Sequence, residues 1–298
     1  FYFLREHWNM AATSGENKLN IFIESLLRVE GLDMIRFRPG SLPVVLCAGH
    51  AGHPSIGSAS GLKLRKEGKL LGDKYTMDLL MELDQEITEL TGEQAHIVTA
   101  LFHRKYVDLN RTPVEAYPEG CDSAKRHYDA YHNKINDAIM AALPCTTGRC
   151  LLLDLHGQAS FVDHIVLGTR DYSTADATTL EATHEGFLWH LRALLGSMVL
   201  PLLGAEPIKE YSGGHTVARH GKGRCDAVQM EFGVDLRADV MQRRRAAAVV
   251  AKALTGSLYP LPSFLKSLAL HGLTGWSAHA QERVIEKLAR INVASPTD

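Results

Sequence analysis

The amino-acid sequence predicts an α/β protein, a three-layer α/β/α sandwich in which a mixed, mostly parallel sheet lies between helices. Two observations carry this prediction. Short apolar runs rich in Val, Leu and Cys, such as residues 43–50 and 150–157, are typical of strands buried on both faces. From residue 43 onward these runs alternate with segments whose apolar residues recur at the helical period, which is typical of a sheet covered by helices.

Each element follows from its own pattern. The predicted strands are residues 43–50, 95–102, 150–157, 162–169, 214–219 and 227–232. Helices are predicted where apolar residues keep the helical period and a Gly or Pro follows, as Gly92 and Pro144 do. The predicted helices are residues 18–29, 73–90, 122–143, 177–195, 237–254 and 278–291.

Length and composition suit a single globular domain. The chain has 298 residues, of which 45% are hydrophobic and 22% are charged. We expect one domain over residues 1–298, with its core at 43–235 and C-terminal helices at 236–298. A net charge of −2 predicts no general attraction to nucleic acid or anionic membranes, and the longest apolar stretch is too short to cross a bilayer.

The cysteines and the chain start bear on location. The five cysteines are odd in number and form no Cys-x-x-Cys pair, which favours reduced thiols and a cytoplasmic protein. The chain does not begin with Met, which predicts a trimmed start and leaves a targeting signal undecided. We expect a monomer or homo-oligomer whose partner is a small molecule.

Two histidines close two of the predicted strands. His50 ends the first strand and His156 lies at the end of the third, and ligands gather beyond the carboxyl ends of strands in open α/β sheets. Histidine is the commonest metal-binding side chain, so the pair predicts the start of a zinc site. The alternative is two unrelated histidines, since the chain has 15 of them.

The third metal ligand is open between two residues. Asp73 precedes a predicted helix, where it could be an N-cap, or it could complete a site of two histidines and one carboxylate. His53 competes for the same place because it follows His50 at a short ligand spacing.

Other charged residues are candidates for catalysis or substrate binding. Glu231 lies in an apolar strand, where a carboxylate must be paired, at an edge, or functional, and near a metal it could act as a general base. Arg104 and Arg111 are candidate anchors for an acidic substrate, because a guanidinium binds a carboxylate through two hydrogen bonds. The alternative is a surface loop in which Asp108 pairs with an arginine.

The order of these tracts resembles that of the N-formylglutamate amidohydrolase family, in particular a divergent eukaryotic-type branch. The resemblance runs over residues 43–232 and rests on the number, order and spacing of the tracts. Its carriers are AGHAG (48–52), GDKYT (72–76), HRKYVDLNR (103–111), YHNKI (131–135), DLHG (154–157), LGTRD (167–171), TVARHG (216–221) and VQMEF (228–232).

The resemblance implies a fold similar to zinc carboxypeptidases and succinylglutamate desuccinylases, with a metal-activated water that cleaves an amide. It implies one Zn²⁺ ion on His50 and His156, favours Asp73 as the third ligand, and makes Glu231 the catalytic glutamate. The residues it matches to substrate are Asn110 and Arg111, as a carboxylate clamp, and the basic pair Arg219 and His220.

The expected reaction is therefore hydrolysis of the amide of a small N-acylated acidic amino acid, such as N-formylglutamate. Two alternatives stay open: a metallocarboxypeptidase-like exopeptidase, and a catalytically silent carboxylate-binding protein of the same fold. The family's usual His-Gly-Gly is His50-Ala51-Gly52 here. The C-terminal helices lie outside the motifs, so the acyl group and the amino acid are undecided.

Overall fold

A mixed sheet of seven strands organises the protein. The computed structural model describes residues 34–57, 61–143, 149–176, 186–195, 199–202 and 209–258. The strands are β1 (Ile35–Arg38), β2 (Val44–Ala48), β3 (His96–Ala100), β4 (Cys150–Gln158), β5 (Ile165–Gly168), β6 (Val199–Leu202) and β7 (Cys225–Gly233). Their order across the sheet is β1-β3-β2-β4-β7-β5-β6.

The centre of the sheet is parallel and its flanks run the opposite way. Strands β3, β2, β4 and β7 are parallel neighbours, whereas β1 is antiparallel to β3 and β5 is antiparallel to β7. The carboxyl ends of β2, β4 and β7 therefore meet at one edge. This arrangement confirms the predicted mixed, mostly parallel sheet.

Helices cover both faces of the sheet, which confirms the predicted layers. The helices are α1 (Thr76–Thr91), α2 (Pro113–Ala116), α3 (Asp122–Ala142), α4 (Phe187–Leu195), α5 (His215–His220), α6 (Val234–Ala238) and α7 (Val240–Leu258). One core joins α1, α4 and α7 to one sheet face, and a second core joins α3 and α5 to the other. In α1, Leu79, Leu83 and Ile87, which recur at the helical period, are buried, and Gly92 ends the helix at a φ of 75°.

The prediction of a strand at residues 214–219 is wrong, because most of this segment forms the short helix α5. Thr216 and Val217 are buried, and their β-branched side chains suggested a strand. Strand propensity depends strongly on context. Here the context is a tertiary contact: the Thr216 N–H donates to Asn110 Oδ1 over 2.9 Å.

The predicted helix at residues 237–254 is confirmed as α7, which begins three residues later, at Val240, and runs to Leu258. Asp239 has an extended backbone and divides the segment into α6 and α7. Its carboxylate accepts a hydrogen bond of 2.8 Å from the Gln242 N–H, as an N-cap residue does at a new helix. The predicted helices at 18–29 and 278–291, and the first part of 177–195, lie outside the described residues.

Two further sequence predictions can be compared with the described residues. Within them, no helix combines the length and the apolarity that a bilayer crossing requires. Cys47, Cys121, Cys150 and Cys225 are buried and form no disulfide, as expected of reduced thiols.

Candidate metal centre

One face of the sheet changes from apolar to polar toward the carboxyl ends of β4 and β7. On β4 the residues of this face are Cys150 and Leu152, followed by Asp154 and His156. On β7 the same alternation places Cys225 and Ala227, followed by Gln229 and Glu231. Because alternate residues of a strand share a face, the polar residues continue the face that packs against α3.

His50, Asp73 and His156 come together at this polar edge. His50 lies two residues beyond β2, and the His156 ring is 4.6 Å from the His50 ring between centroids. Asp73 Oδ2 lies 3.3 Å from His50 Nδ1 and 3.0 Å from His156 Nδ1. One ligand atom from each residue falls within 4.8 Å of the others, so the group could hold a metal ion.

A second carboxylate binds the far side of each imidazole. His50 Nε2 lies 2.7 Å from Asp108 Oδ1, and His156 Nε2 lies 2.9 Å from Asp154 Oδ2. Asp108 and Asp154 are both completely buried. If each Nε2–H is donated to its carboxylate, the tautomer leaves both Nδ1 lone pairs turned toward Asp73. Outer carboxylates orient metal-binding histidines in this way.

The donor set fits a metal ion chemically. Two imidazoles and one carboxylate are the ligands of catalytic zinc sites that keep an open position. The surroundings favour positive charge: burial would lower the pKa of His156, but Asp154 and Asp73 outweigh burial and hold that pKa well above its usual range. The same carboxylates would attract a cation.

The third-ligand alternatives are distinguished by geometry. Asp73 is not the N-cap of α1, because that position is Tyr75 and no side chain caps the helix. The Asp73 carboxylate instead accepts a hydrogen bond of 3.2 Å from the Gly157 N–H. His53 lies outside the three-residue group, and its Nδ1 accepts from the Ser55 N–H over 3.2 Å.

Arg104 lies inside the protein, on the outer carboxylate of His50. Its guanidinium donates to Asp108 Oδ2 over 2.6 Å and lies 3.6 Å from Asp73 Oδ1. Arg65 approaches the same Asp108 oxygen at 3.4 Å. Burial would raise the pKa of Asp108, but His50 and Arg104 outweigh burial and hold it far below its usual range. Asp108 is therefore paired with an arginine, as the alternative interpretation expected, but in the interior.

Glu231 lies directly opposite His156 in the pairing of β7 with β4. β7 is an internal strand, and burial raises the pKa of the Glu231 carboxyl above its usual value. Gln229 Nε2 donates to Glu231 Oε1 over 2.9 Å. The other end of that amide accepts from the Gly214 N–H over 2.6 Å and from Asn110 Nδ2 over 3.1 Å, which fixes its orientation.

The residues predicted to bind substrate divide into two groups. Asn110 is buried against Gln229. His220 is also buried: its Nε2 lies 2.9 Å from His132 Nδ1, and its Nδ1 lies 2.9 Å from Asn136 Oδ1. Arg111 is half-buried and Arg219 is exposed. Arg111 donates to the Asn110 carbonyl over 2.9 Å, and Arg219 lies 5.9 Å from the centre of the Tyr128 ring. The role of each in binding stays a prediction.

Asp154 and Gln229 are site residues that the sequence prediction missed, although their spacing from His156 and Glu231 could have identified them. Asp154 precedes His156 by two residues, and Gln229 precedes Glu231 by two, so each shares a strand face with its partner. A search for polar residues two positions before each candidate would have found both.

Substitution of Asp154 tests whether the carboxylates behind the histidines support metal binding. We expect Asp154→Asn to weaken metal binding about 10- to 100-fold, because the neutral amide orients the His156 ring less strongly than the carboxylate. Titration of the metal against a chelator of known affinity measures the change. Asp226→Asn is the matched control, since Asp226 is a buried carboxylate at the amino end of β7 that pairs with Arg149. Equal metal affinity in wild type and Asp154→Asn would contradict the assignment.

Comparison with known proteins agrees with this fold. No protein-family model matches the chain, and no curated protein matches its sequence. The structure of N-formylglutamate amidohydrolase from Ralstonia eutropha JMP134 is similar at a TM-score of 0.51 and 15% identity, over 76% of this chain and 98% of that one. The gene product Atu2144 from Agrobacterium tumefaciens is similar at a TM-score of 0.53 and 17% identity, over 75% and 96%. The chain thus has the fold of an N-formylglutamate amidohydrolase, as its motifs predict.

Proposed function

We propose that this protein is a zinc-dependent amidohydrolase that cleaves the amide of a small N-acylated acidic amino acid, such as N-formylglutamate. The observation that carries the proposal is the position of a buried carboxylate, Glu231, directly opposite His156 of the candidate metal group. The structural similarity to an N-formylglutamate amidohydrolase supports the same reaction class.

His50, Asp73 and His156 would hold the ion, with Asp108 and Asp154 orienting the two imidazoles. When bound, zinc supplies a Lewis acid that polarises a carbonyl and lowers the pKa of water. Three protein ligands leave room for water and substrate, as catalytic zinc sites do.

Glu231 would move the proton. Its carboxylate accepts a proton from the attacking water and returns it to the nitrogen of the leaving amine, so the amide yields a carboxylate and a free amino group. Burial makes this carboxyl a better base than an exposed glutamate, because it raises the pKa. Gln229 holds one carboxylate oxygen, which restricts the rotation of the side chain.

Arg111 would bind the carboxylate of the substrate. It follows Asn110, which reaches the metal group at 3.2 Å from His156 Nε2, and its side chain is only partly buried. A guanidinium can grip a carboxylate through two parallel hydrogen bonds. Arg104, by contrast, is engaged by Asp108 in the interior, so we assign Arg111 rather than Arg104 to the substrate.

The test combines metal analysis with a substrate panel. The purified chain should contain or take up zinc and should hydrolyse formyl, acetyl or succinyl derivatives of glutamate or aspartate faster than short peptides.

Arg111→Lys should raise KM with a smaller effect on kcat, because the lysine ammonium keeps the positive charge but cannot donate two parallel hydrogen bonds to the substrate carboxylate. Arg126→Lys, at an exposed position on α3, is the control. The formyl and acetyl compounds differ by one methyl, so a preference worth about 1–3 kcal/mol is expected.

Each other outcome overturns part of the proposal. Faster cleavage of peptides would indicate the exopeptidase. A chain that binds N-acyl amino acids and neither binds zinc nor turns them over would indicate the silent binding protein. An unchanged KM in Arg111→Lys would remove Arg111 from the substrate.

A further inference from the structure

Arg237 is a buried arginine of α6 that the metal centre as described does not use. Its side chain is only 5% exposed although it carries a full positive charge. Burying a charge costs free energy unless the group is hydrogen-bonded. The partners of its guanidinium therefore explain why it is there.

Each hydrogen bond of this guanidinium ends on a different backbone carbonyl. Nε donates to Phe232 over 2.9 Å, Nη2 donates to Gln158 over 3.1 Å, and Nη1 donates to Lys74. These carbonyls belong to the end of β7, the end of β4 and the loop before α1, which are far apart in the sequence.

The three carbonyls share one property: each stands beside a residue of the candidate site. Phe232 directly follows Glu231, and Lys74 directly follows Asp73. Gln158 is two residues beyond His156 on the same strand. One side chain thus contacts all three segments that carry the proposed base and two of the three metal ligands.

Gly157 shows how tightly this contact is packed. A Cβ atom added at Gly157 would overlap the Arg237 guanidinium, so the guanidinium lies directly on the β4 backbone. The N–H of the same glycine donates to the Asp73 carboxylate. Arg237 and the Asp73 carboxylate therefore both contact the same peptide segment.

We propose that Arg237 is a positioning residue that fixes the three site-bearing segments relative to one another. The inference rests on the proposed function for its effect on metal and activity. The geometry of a guanidinium suits this role, because its donors lie in one rigid plane and point in several directions. A lysine keeps the charge near Asp73 and Glu231 but cannot place three donors in a fixed fork.

The experiment compares Arg237→Lys and Arg237→Met with wild type in the full chain. We expect both variants to bind zinc about tenfold more weakly in a chelator competition, as for loss of an outer-shell partner. Amide hydrogen exchange of the metal-free proteins should speed up on the order of tenfold in peptides that cover residues 72–75 and 155–158, because those segments open more readily. Arg38→Met is the matched control, since Arg38 bonds to Asp84 and the Ala95 carbonyl at the β1 edge of the sheet.

The outcomes separate the two proposals. Wild-type zinc affinity and exchange in Arg237→Lys would overturn the inference, since charge alone would then suffice. Equal losses in Arg38→Met would also overturn it, because the effect would reflect general loss of stability. If wild type binds no zinc, the proposed function fails, and faster exchange at the two segments in the Arg237 variants alone still supports Arg237 as the residue that fixes them.

Discussion

Glu231→Gln is expected to lower kcat by about two to four orders of magnitude while zinc stays bound. The amide has nearly the shape of the carboxylate but cannot accept a proton from water. Proton transfer contributes only in the transition state, so KM should change much less than kcat. The hydrogen bond from Gln229 to this position can be kept by the glutamine oxygen, so the fold should be unaffected.

Initial rates at saturating substrate, together with the zinc content of each preparation, measure this effect. Glu82→Gln is the control, because Glu82 is a partly buried glutamate of α1 that pairs with Arg243 of α7, in the helical layer on the other side of the sheet from α3. A kcat within a few-fold of wild type in Glu231→Gln would show that another group takes the proton.

His156→Ala is expected to abolish zinc binding at micromolar protein and, with it, hydrolysis. The substitution removes one of the three proposed ligands and leaves Asp154 and Asp73 without their shared imidazole partner. Loss of an outer-shell partner alone costs roughly 10- to 100-fold in affinity, so loss of a ligand should cost more. His50→Ala should behave in the same way because His50 occupies the equivalent place opposite Asp73.

Metal analysis after gel filtration and a circular dichroism spectrum of each variant measure metal and fold separately. His132→Ala is the control, because it removes another completely buried imidazole, one that contacts His220 instead of Asp73. Full zinc content in either His50→Ala or His156→Ala would show that the metal centre is wrongly placed.

The sequence predicted the fold well wherever burial alone determines structure. The runs at β2, β3, β4 and β7 are apolar because both of their faces are covered, and composition reveals that directly. The wrong strand at residues 214–219 and the late start of α7 both occurred where a single side-chain contact decides. The Thr216 N–H of α5 bonds to Asn110, which is distant in the sequence, and Asp239 caps α7. Neither contact can be read from hydrophobic periodicity.

The candidate site, too, could be predicted only in part. The positions of His50 and His156 at strand ends predicted the start of a metal site, and the family resemblance favoured Asp73 over His53 as the third member of the group. What could not be predicted is which polar groups face inward. Arg104 was a candidate anchor because a guanidinium binds a carboxylate, yet the carboxylate that it binds is that of Asp108 in the interior. Arg237 gave no signal at all, since its partners are backbone carbonyls.

In β4 and in β7, the two halves of the strand are under different constraints. The amino halves are constrained by volume and apolarity, as at Leu152 and Ala227, where a change alters how much folded protein a cell maintains. If the proposed function holds, the carboxyl halves are constrained by reactivity, as at His156 and Glu231, where a more apolar residue could stabilise the fold and remove the proposed chemistry. Core residues can therefore be replaced by others of similar size without a change at the strand ends, and residues at the strand ends can change without a change in the core. Such independence is compatible with the fold that this chain shares with two structures to which it is only 15% and 17% identical.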